Sequence, residues 1–294
     1  MRMPAPVDVL GLASRVALAA AVYATGTMVT GEHLPKLSPE AAHSLLEQSD
    51  SKAKALDFKG ALPPLLRLLA SNPDNHNYLS REAEIYGGLK DYRREAAAWE
   101  LFMAVAPFPT DACPNLGKAY AKAGQDDKAL QAHERCLALD PTKPDLQFFL
   151  ARAYEMRDRS QAAERLYLKI LSTAPKYFDA SLGLARLLMS ERRDSEAEKL
   201  VSAVVSESKE NPDALLLWAR LADNQGRREL AKQRILQAIA SSPSYADLYR
   251  ILGRWYDRDG DRAGSLRIYS TLHELEPEDP VAKTRLAEFQ GRAP

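Results

Sequence analysis

Apolar residues recur along this chain at helical spacing in short blocks, and polar residues or prolines separate the blocks. Three stretches show the pattern most clearly, at residues 116–141, 150–175 and 252–277, and they superpose without gaps at offsets of 34 and 102 residues. Internal periodicity of this length is typical of repeat proteins in which each unit is a pair of helices. The pattern therefore predicts tandem helical hairpins with a 34-residue period.

A frame that starts at Ala42 divides the chain into seven units: 42–75, 76–109, 110–143, 144–177, 178–211, 212–245 and 246–279. The eighth residue is small in every unit: Ser49, Ala83, Gly117, Ala151, Ala185, Ala219 and Gly253. The twentieth is small except for Glu95, and the thirty-second is usually proline. Small residues let two antiparallel helices approach closely. Gly124, Gly226 and Gly260 are predicted to end first helices in the left-handed conformation.

These columns, with tyrosine at the eleventh position of four units, resemble the tetratricopeptide repeat (TPR) family over residues 42–279. The resemblance implies an all-α fold, a right-handed superhelical solenoid of seven helix-turn-helix units. Residues 280–294 are predicted to add a solvating C-terminal helix and tail, which would cap the last unit. Unit one departs from the family at Pro63 and Pro64, and unit two at Glu95, so both are expected to form an atypical end.

The N-terminal residues break with the repeat. Residues 16–31 are uncharged, but this stretch is shorter than the roughly 20 residues that span a bilayer. A basic start, a short apolar stretch and small residues before a potential cut resemble a secretory signal. We expect residues 1–31 to be a signal peptide or a membrane-anchor segment and 32–41 a linker. The chain would then be exported, either periplasmic or attached to a membrane through its N-terminus, and a cytoplasmic location is the alternative.

The overall charge and the motif search exclude several functions. The 40 basic residues balance 40 acidic ones, whereas a protein that binds nucleic acid through phosphates needs a cationic excess. The chain has no phosphate-binding loop, nucleophile elbow or H-E-x-x-H motif, and its five histidines are scattered. We therefore predict no catalytic residues, no metal, no cofactor, no nucleic acid and no small-molecule substrate.

The ninth position of units three to seven carries an unbroken basic column: Lys118, Arg152, Arg186, Arg220 and Arg254. In the resembled family the first helices form the concave ligand groove, which would place this column on its wall and favour an anionic partner. Residues expected to line the groove beside it are Asn115, Phe148, Leu182, Leu216, Asn224 and Arg250.

Two alternatives remain for this column. Duplication of one ancestral arginine would produce it without any function. Carboxylates three residues on would also neutralise part of it, in the pairs Arg152–Glu155, Arg220–Asp223 and Arg254–Asp257.

Cys113 and Cys136 stand at equal distances on either side of one inter-helix turn. They are predicted either to form a disulfide or to remain two small buried apolar residues. The sequence leaves both alternatives open.

The function predicted from these observations is that of a non-enzymatic scaffold that binds a protein or peptide segment on the concave face. One alternative is a structural assembly or oligomerisation factor of a membrane or envelope complex, which would use its convex face or its ends. Another is the accessory domain of an enzyme on a separate chain.

Overall fold

The computed structural model describes residues 37–289 and 291, and this part of the chain forms fifteen α-helices, one short 3₁₀ turn and no strand. The helices are α1 (Pro39–Lys54), α2 (Phe58–Ser71), α3 (His76–Gly88), α4 (Tyr92–Val105), α5 (Cys113–Lys122), α6 (Asp126–Leu139), α7 (Pro144–Glu155), α8 (Ser160–Thr173), α9 (Phe178–Ser190), α10 (Asp194–Glu207), α11 (Pro212–Asn224), α12 (Arg228–Ser241), α13 (Ala246–Asp259), α14 (Arg262–Leu275) and α15 (Pro280–Phe289). The predicted all-α array of helical hairpins is confirmed.

The N-terminal segment at residues 1–31 lies outside the described residues. Helix α1 begins at Pro39, so the last residues of the expected linker belong to the first hairpin. Ser38 caps this helix by accepting a hydrogen bond from the backbone N–H of Ala41 at 3.2 Å. Among the helices that the structure describes, none has the length and apolar content needed to cross a membrane.

Small residues at the eighth position hold the two helices of each hairpin together. All seven are buried. In the first hairpin the Ser49 hydroxyl donates to the carbonyl of Ala61, the twentieth residue, at 2.9 Å. In the seventh hairpin a Cβ added to Gly253 would lie 2.8 Å from the ring of Tyr269. The small residue therefore makes room for the second helix, as the spacing predicts.

The fifteenth residue of every hairpin adopts a left-handed backbone conformation. Gly124, Gly226 and Gly260 have φ angles of 70°, 73° and 75°, which confirms the prediction for the glycines. The other four hairpins place a non-glycine residue in the same conformation: Leu56, Lys90, Asp158 and Arg192. The turn geometry is thus common to all hairpins, although only three of them carry the residue that favours it.

The chain divides after Ala153 into two compact bodies, the first ending at Ala153 and the second beginning at Tyr154. The first body contains α1–α6 and most of α7, with a core that includes Leu65, Leu79 and Leu116. The second body contains the end of α7 and α8–α15, with Tyr167 and Leu215 among its fully buried side chains.

Ion pairs connect successive hairpins within the second body. Arg193 donates to Glu164 of the preceding hairpin at 2.9 Å. Arg227 of the sixth hairpin pairs with Glu198 of the fifth at 3.1 Å. Between the sixth and seventh hairpins the signs are exchanged, and Lys232 lies 2.7 Å from Asp259. These pairs tie each hairpin to its neighbour, where repeat proteins make their non-local contacts.

Cys113 and Cys136 form a disulfide inside the third hairpin, in the first body. Their Cα atoms are 5.9 Å apart, within the range that a disulfide requires. Both side chains are buried, with 0% and 1% of their surface exposed. The alternative of two free buried cysteines is therefore wrong.

Helix α15 covers the end of the seventh hairpin. The Asp279 side chain accepts a hydrogen bond from the backbone N–H of Ala282 at 2.8 Å, which caps the helix. Of the apolar residues of this helix, Ala282 is fully buried, and Val281, Leu286 and Phe289 are half-buried.

Candidate functional site

The basic column follows the buried eighth residue of each first helix, so its side chains turn away from the hairpin interior. Lys118 and Arg152 are exposed in the first body. In the second body Arg220 and Arg254 are exposed and Arg186 is half-buried. We call Arg186, Arg220 and Arg254 the arginine row. Helices α9 and α11 contact each other, which places Arg186 and Arg220 on neighbouring helices.

The three guanidinium groups of the arginine row form no ion pair with any residue in the described part of the chain. The expected pairs Arg220–Asp223 and Arg254–Asp257 are wrong. Their carboxylates bind other partners: Asp223 lies 2.8 Å from a nitrogen of Arg258, and Asp257 lies 2.7 Å from one of Arg285.

In the remaining predicted pair, Glu155 accepts a hydrogen bond from the Tyr167 hydroxyl at 2.7 Å. The carboxylates that follow the basic column in sequence therefore have contacts that the three-residue spacing did not predict.

The expected apolar floor is mostly covered. Leu182 and Leu216 are only 3% and 8% exposed, because they stand three residues before the helix crossing and share its face. Phe148 is half-buried, and its ring lies 5.9 Å from that of Phe149 in an edge-on arrangement. Asn115 and Asn224 are exposed, as polar edges should be. In the second body, where Leu182 and Leu216 are covered and Asn224 is exposed, the surface around the arginine row is accordingly more polar than the sequence suggested.

Arg250 does not belong to an open binding surface. Its guanidinium pairs with Asp247, Glu276 and Asp279, and its Nε lies 2.7 Å from the Asp279 carboxylate. The hydrogen bond with Asp279 is the largest influence that raises the pKa of Arg250. The predicted groove residue therefore holds α13 to the start of α15, a contact that the sequence could not show because Asp279 lies 29 residues away.

An acidic column escaped the sequence reasoning. The second residue of units three to seven is always aspartate: Asp111, Asp145, Asp179, Asp213 and Asp247. These carboxylates lie near the N-termini of first helices, where the helix dipole favours negative charge. The same 34-residue frame that revealed the basic column would have shown them.

One tyrosine links the acidic column to the arginine row in the second body. The Tyr245 hydroxyl donates to Asp213 at 2.7 Å. This hydrogen bond, burial and the charges of Asp213 and Asp247 raise the pKa of Tyr245 to about 12, and the charge of Arg220 acts in the opposite direction. The charges of Asp213, Asp247 and Arg220 therefore all act on one hydroxyl, so both charge signs influence this part of the second body.

The first two hairpins present a different surface. Their ninth residues are Asp50 and Glu84, and both line an open depression of about 480 Å³ together with Phe58, Arg81 and Ile85. Asp50 pairs with Arg81 at 2.8 Å. This depression is neither basic nor free of internal ion pairs, so it is a weaker candidate for binding an anion than the arginine row.

No group of histidine, cysteine, aspartate and glutamate residues within 37–289 is arranged to hold a metal ion. His133, a half-buried histidine of the third hairpin, stacks against Phe149 with ring centroids 6.1 Å apart. Burial lowers the pKa of His133 to about 4, so its imidazole is neutral near pH 7.

Sequence models of the tetratricopeptide repeat match residues 120–176 and 157–207 with one model and 216–280 with another. This chain belongs to the tetratricopeptide repeat family. TPR proteins bind other proteins or peptides through their hairpin arrays, and they are generally non-enzymatic scaffolds. No curated protein sequence matches the chain significantly.

Solved TPR structures share the fold at low sequence identity. A tetratricopeptide repeat protein from Parabacteroides merdae has a TM-score of 0.70 and 19% identity, covering 84% of this chain and 98% of its own. PilW, described as a type IV pilus biogenesis factor, has a TM-score of 0.57 and 20% identity, covering 73% and 100%. A TPR protein of Thermus thermophilus has a TM-score of 0.55 and 19% identity, covering 61% and 97%. At these identities the likeness shows the fold.

Proposed function

We propose that this TPR protein is a non-catalytic scaffold that captures an acidic segment of a partner protein on the first-helix face of its second body. The arginine row provides the attraction. A segment lying across α9, α11 and α13 would meet one arginine on each helix, at a spacing of roughly 10 Å from helix packing.

The observation that carries the proposal is the absence of ion pairs at Arg186, Arg220 and Arg254 within the described residues. Other arginines of this body, Arg193, Arg227 and Arg250, are by contrast ion-paired. Arginine also forms bidentate hydrogen bonds with carboxylates, which suits an acidic partner. A column left by duplication alone would not require its members to remain unpaired.

The test uses the full chain and a fluorescein-labelled peptide of twelve glutamates as the acidic probe. We expect Arg186→Glu combined with Arg220→Glu to weaken binding by about tenfold at 50 mM salt, measured by fluorescence anisotropy. Affinity of the parent should fall as salt rises, because the screening length shrinks from roughly 10 Å at 0.1 M to 3 Å at 1 M.

A matched control reverses two exposed arginines on second helices, Arg165→Glu on α8 and Arg267→Glu on α14. It changes the net charge by the same amount without touching the row. If both double variants lose affinity equally, the probe senses only net charge and the proposed site is wrong. Unchanged affinity of the Arg186→Glu, Arg220→Glu double variant would contradict the proposal directly.

We also propose that the protein is exported, with residues 1–31 as its targeting segment. The buried disulfide between Cys113 and Cys136 supports this, because disulfides persist in oxidising compartments and are rare in the cytosol. Fractionation of the native host, with N-terminal sequencing of the mature chain, tests the proposal. A cytoplasmic chain that retains Met1 and two reduced thiols would contradict it.

A further inference from the structure

In the sixth and seventh hairpins, a carboxylate stands three residues after the arginine of the row. These pairs are Arg220 with Asp223 and Arg254 with Asp257. Residues at this spacing are neighbours on a helix surface, and opposite charges there attract each other. Left to themselves, the aspartates would neutralise two of the three arginines that the proposed function needs. The fifth hairpin differs, since Met189 follows Arg186 at the same spacing.

The first of these aspartates is held by an arginine from the next hairpin. Arg258 on α13 donates from one terminal nitrogen to Asp223 at 3.0 Å, and its other terminal nitrogen lies 2.8 Å from the second oxygen. One prong of the guanidinium therefore hydrogen-bonds the carboxylate and the other makes a close ion-pair contact with it, and a hydrogen bond between two charged groups is stronger than a neutral one. The Asp223 side chain is 19% exposed, so little of it faces solvent.

The second aspartate is held by the terminal helix. Arg285 on α15 donates from Nε to Asp257 at 2.9 Å, and a terminal nitrogen lies 2.7 Å from the same oxygen. Tyr269 and Ser265 also donate their hydroxyls to this carboxylate. The side chain is 17% exposed. The second helix along the chain, α13 for Asp223 and α15 for Asp257, therefore takes the carboxylate that could pair with the row.

We propose that Arg258 and Arg285 are positioning residues that keep Arg220 and Arg254 available for a partner by binding Asp223 and Asp257. This inference rests on the proposed function. When Arg258 is lost, Asp223 is free to pair with Arg220, and it then competes with the carboxylates of the bound segment. Arg186 has no such competitor and should bind independently of both positioning residues.

The experiment measures the affinity of the full chain for the same twelve-glutamate peptide at 50 mM salt. We expect Arg258→Gln and Arg285→Gln to weaken binding roughly twofold each, and their combination roughly fourfold, the size expected from a helical i,i+3 ion pair. The controls Arg165→Gln and Arg267→Gln remove the same charge from exposed second-helix positions and should change affinity less.

Two further variants separate positioning from a structural role. Asp223→Asn combined with Arg258→Gln removes the competitor and restores the parent's net charge, so parental affinity should return. Arg258→Lys should keep most of the affinity, because lysine can still pair with Asp223. Circular dichroism on each variant shows whether the helices persist. Should Arg258→Gln alone lose structure, the affinity of the compensated double variant decides the question.

The inference is overturned if Arg258→Gln binds as well as the Arg267→Gln control, or if the compensated double variant stays weak. Failure of the proposed function looks different. In that case Arg220→Gln itself would leave the affinity for the glutamate peptide unchanged, whatever happens at Arg258.

Discussion

The first three hairpins and the last three share one 34-residue frame, but they accommodate polar residues in its apolar columns differently. In the second hairpin Glu82 occupies the seventh position, where the seventh hairpin has the fully buried Leu252. In the sixth hairpin Arg234 occupies an otherwise apolar column, and part of its guanidinium has partners although its Nε has no hydrogen-bond partner among the described residues. Arg234 lies 3.7 Å above the Trp218 ring and donates to the Trp218 carbonyl at 2.9 Å.

The second hairpin also carries Glu95 where other units have alanine or serine. One oxygen of Glu95 is buried without a hydrogen-bond partner among the described residues, and burial raises the pKa of this carboxyl. By contrast Ser265, at the same position in the seventh hairpin, donates its hydroxyl to Asp257. The hairpin thus tolerates an ill-matched residue in one column as long as the eighth residue is small and the turn is left-handed. The first body also carries the disulfide between Cys113 and Cys136, a covalent constraint within its third hairpin.

The largest effect should come from the disulfide, and it should be confined to the first body. Replacing Cys113 and Cys136 together by alanine removes a cross-link over a 23-residue separation. Cross-links of this length reduce the conformational freedom of the unfolded chain and stabilise by roughly 3 kcal/mol. Hydrogen exchange should accelerate in α5 and α6 and stay unchanged in α11 and α12. A reductant should produce the same change in the parent and none in the variant. Uniform acceleration in both bodies would contradict this assignment.

The second body should be most sensitive at its helix crossings. Ala185 is fully buried at the eighth position of α9, so Ala185→Leu adds three carbons where the second helix approaches. Overpacking of this kind costs about 1–3 kcal/mol. Urea unfolding followed by hydrogen exchange in α9 and α10 measures the loss. The control is Ala203→Leu, the same change at an exposed position of α10. Equal urea midpoints for the two variants would show that the eighth position is not the crossing.

The sequence predicted the backbone of these hairpins far better than their side-chain partners. Small residues, left-handed glycines and terminal prolines act locally, so their spacing in the chain carries the information. Pairs such as Arg250 with Asp279 or Arg258 with Asp223 join separate helices, and several carboxylates compete for each arginine. Nearest-neighbour spacing therefore favoured Arg220–Asp223, whereas the packing of α13 supplies a second arginine with better geometry.

The left-handed turns also show that local sequence preferences could be predicted whereas effects of packing could not. The glycines at position fifteen could be predicted because glycine favours positive φ angles. Leu56, Lys90 and Arg192 have no such preference, and the hairpin geometry imposes the conformation on them, whereas the aspartate at Asp158 tolerates it better. At the candidate site, the sequence identified the arginine row but missed the acidic column and the Tyr245 contact. It also assigned Leu182 and Leu216 to an open floor, although the helix crossing buries them.

The half-buried carboxylate of Glu82 should give the first body a distinctive pH dependence. Burial raises the pKa of Glu82 to about 7, whereas glutamate in an unfolded chain titrates near 4.3. The folded state therefore holds a proton that the unfolded state releases, and this contribution to stability falls as pH rises between these two values. Partial solvation reduces the effect. We therefore expect the stability of Glu82→Gln, relative to that of the parent, to increase by about 1–2 kcal/mol between pH 5 and pH 7.

The comparison must be made between variants, because His133 in the same body acts in the opposite direction. Its pKa is lowered to about 4, so the unfolded chain binds a proton that the folded one does not, and stability rises with pH from there to about 6.5. Urea midpoints of the parent and of Glu82→Gln at pH 5, 6 and 7 isolate the glutamate. Parallel pH profiles for the two proteins would show that Glu82 is not buried as described.

The smallest effect should come from the turns, where the two regions again differ. Lys90 ends the first helix of the second hairpin with a φ angle of 60°, and Gly226 has a φ angle of 73° at the same position of the sixth hairpin. A left-handed L-residue costs roughly 1–2 kcal/mol, and the greater unfolded-state freedom of glycine offsets part of this. Lys90→Gly should therefore stabilise the first body by about 0.5 kcal/mol, and Gly226→Lys should destabilise the second body by a similar amount. Hydrogen exchange in α3 and α11 measures both changes, and a loss of stability in Lys90→Gly would mean that the lysine side chain makes a contact that outweighs the backbone strain.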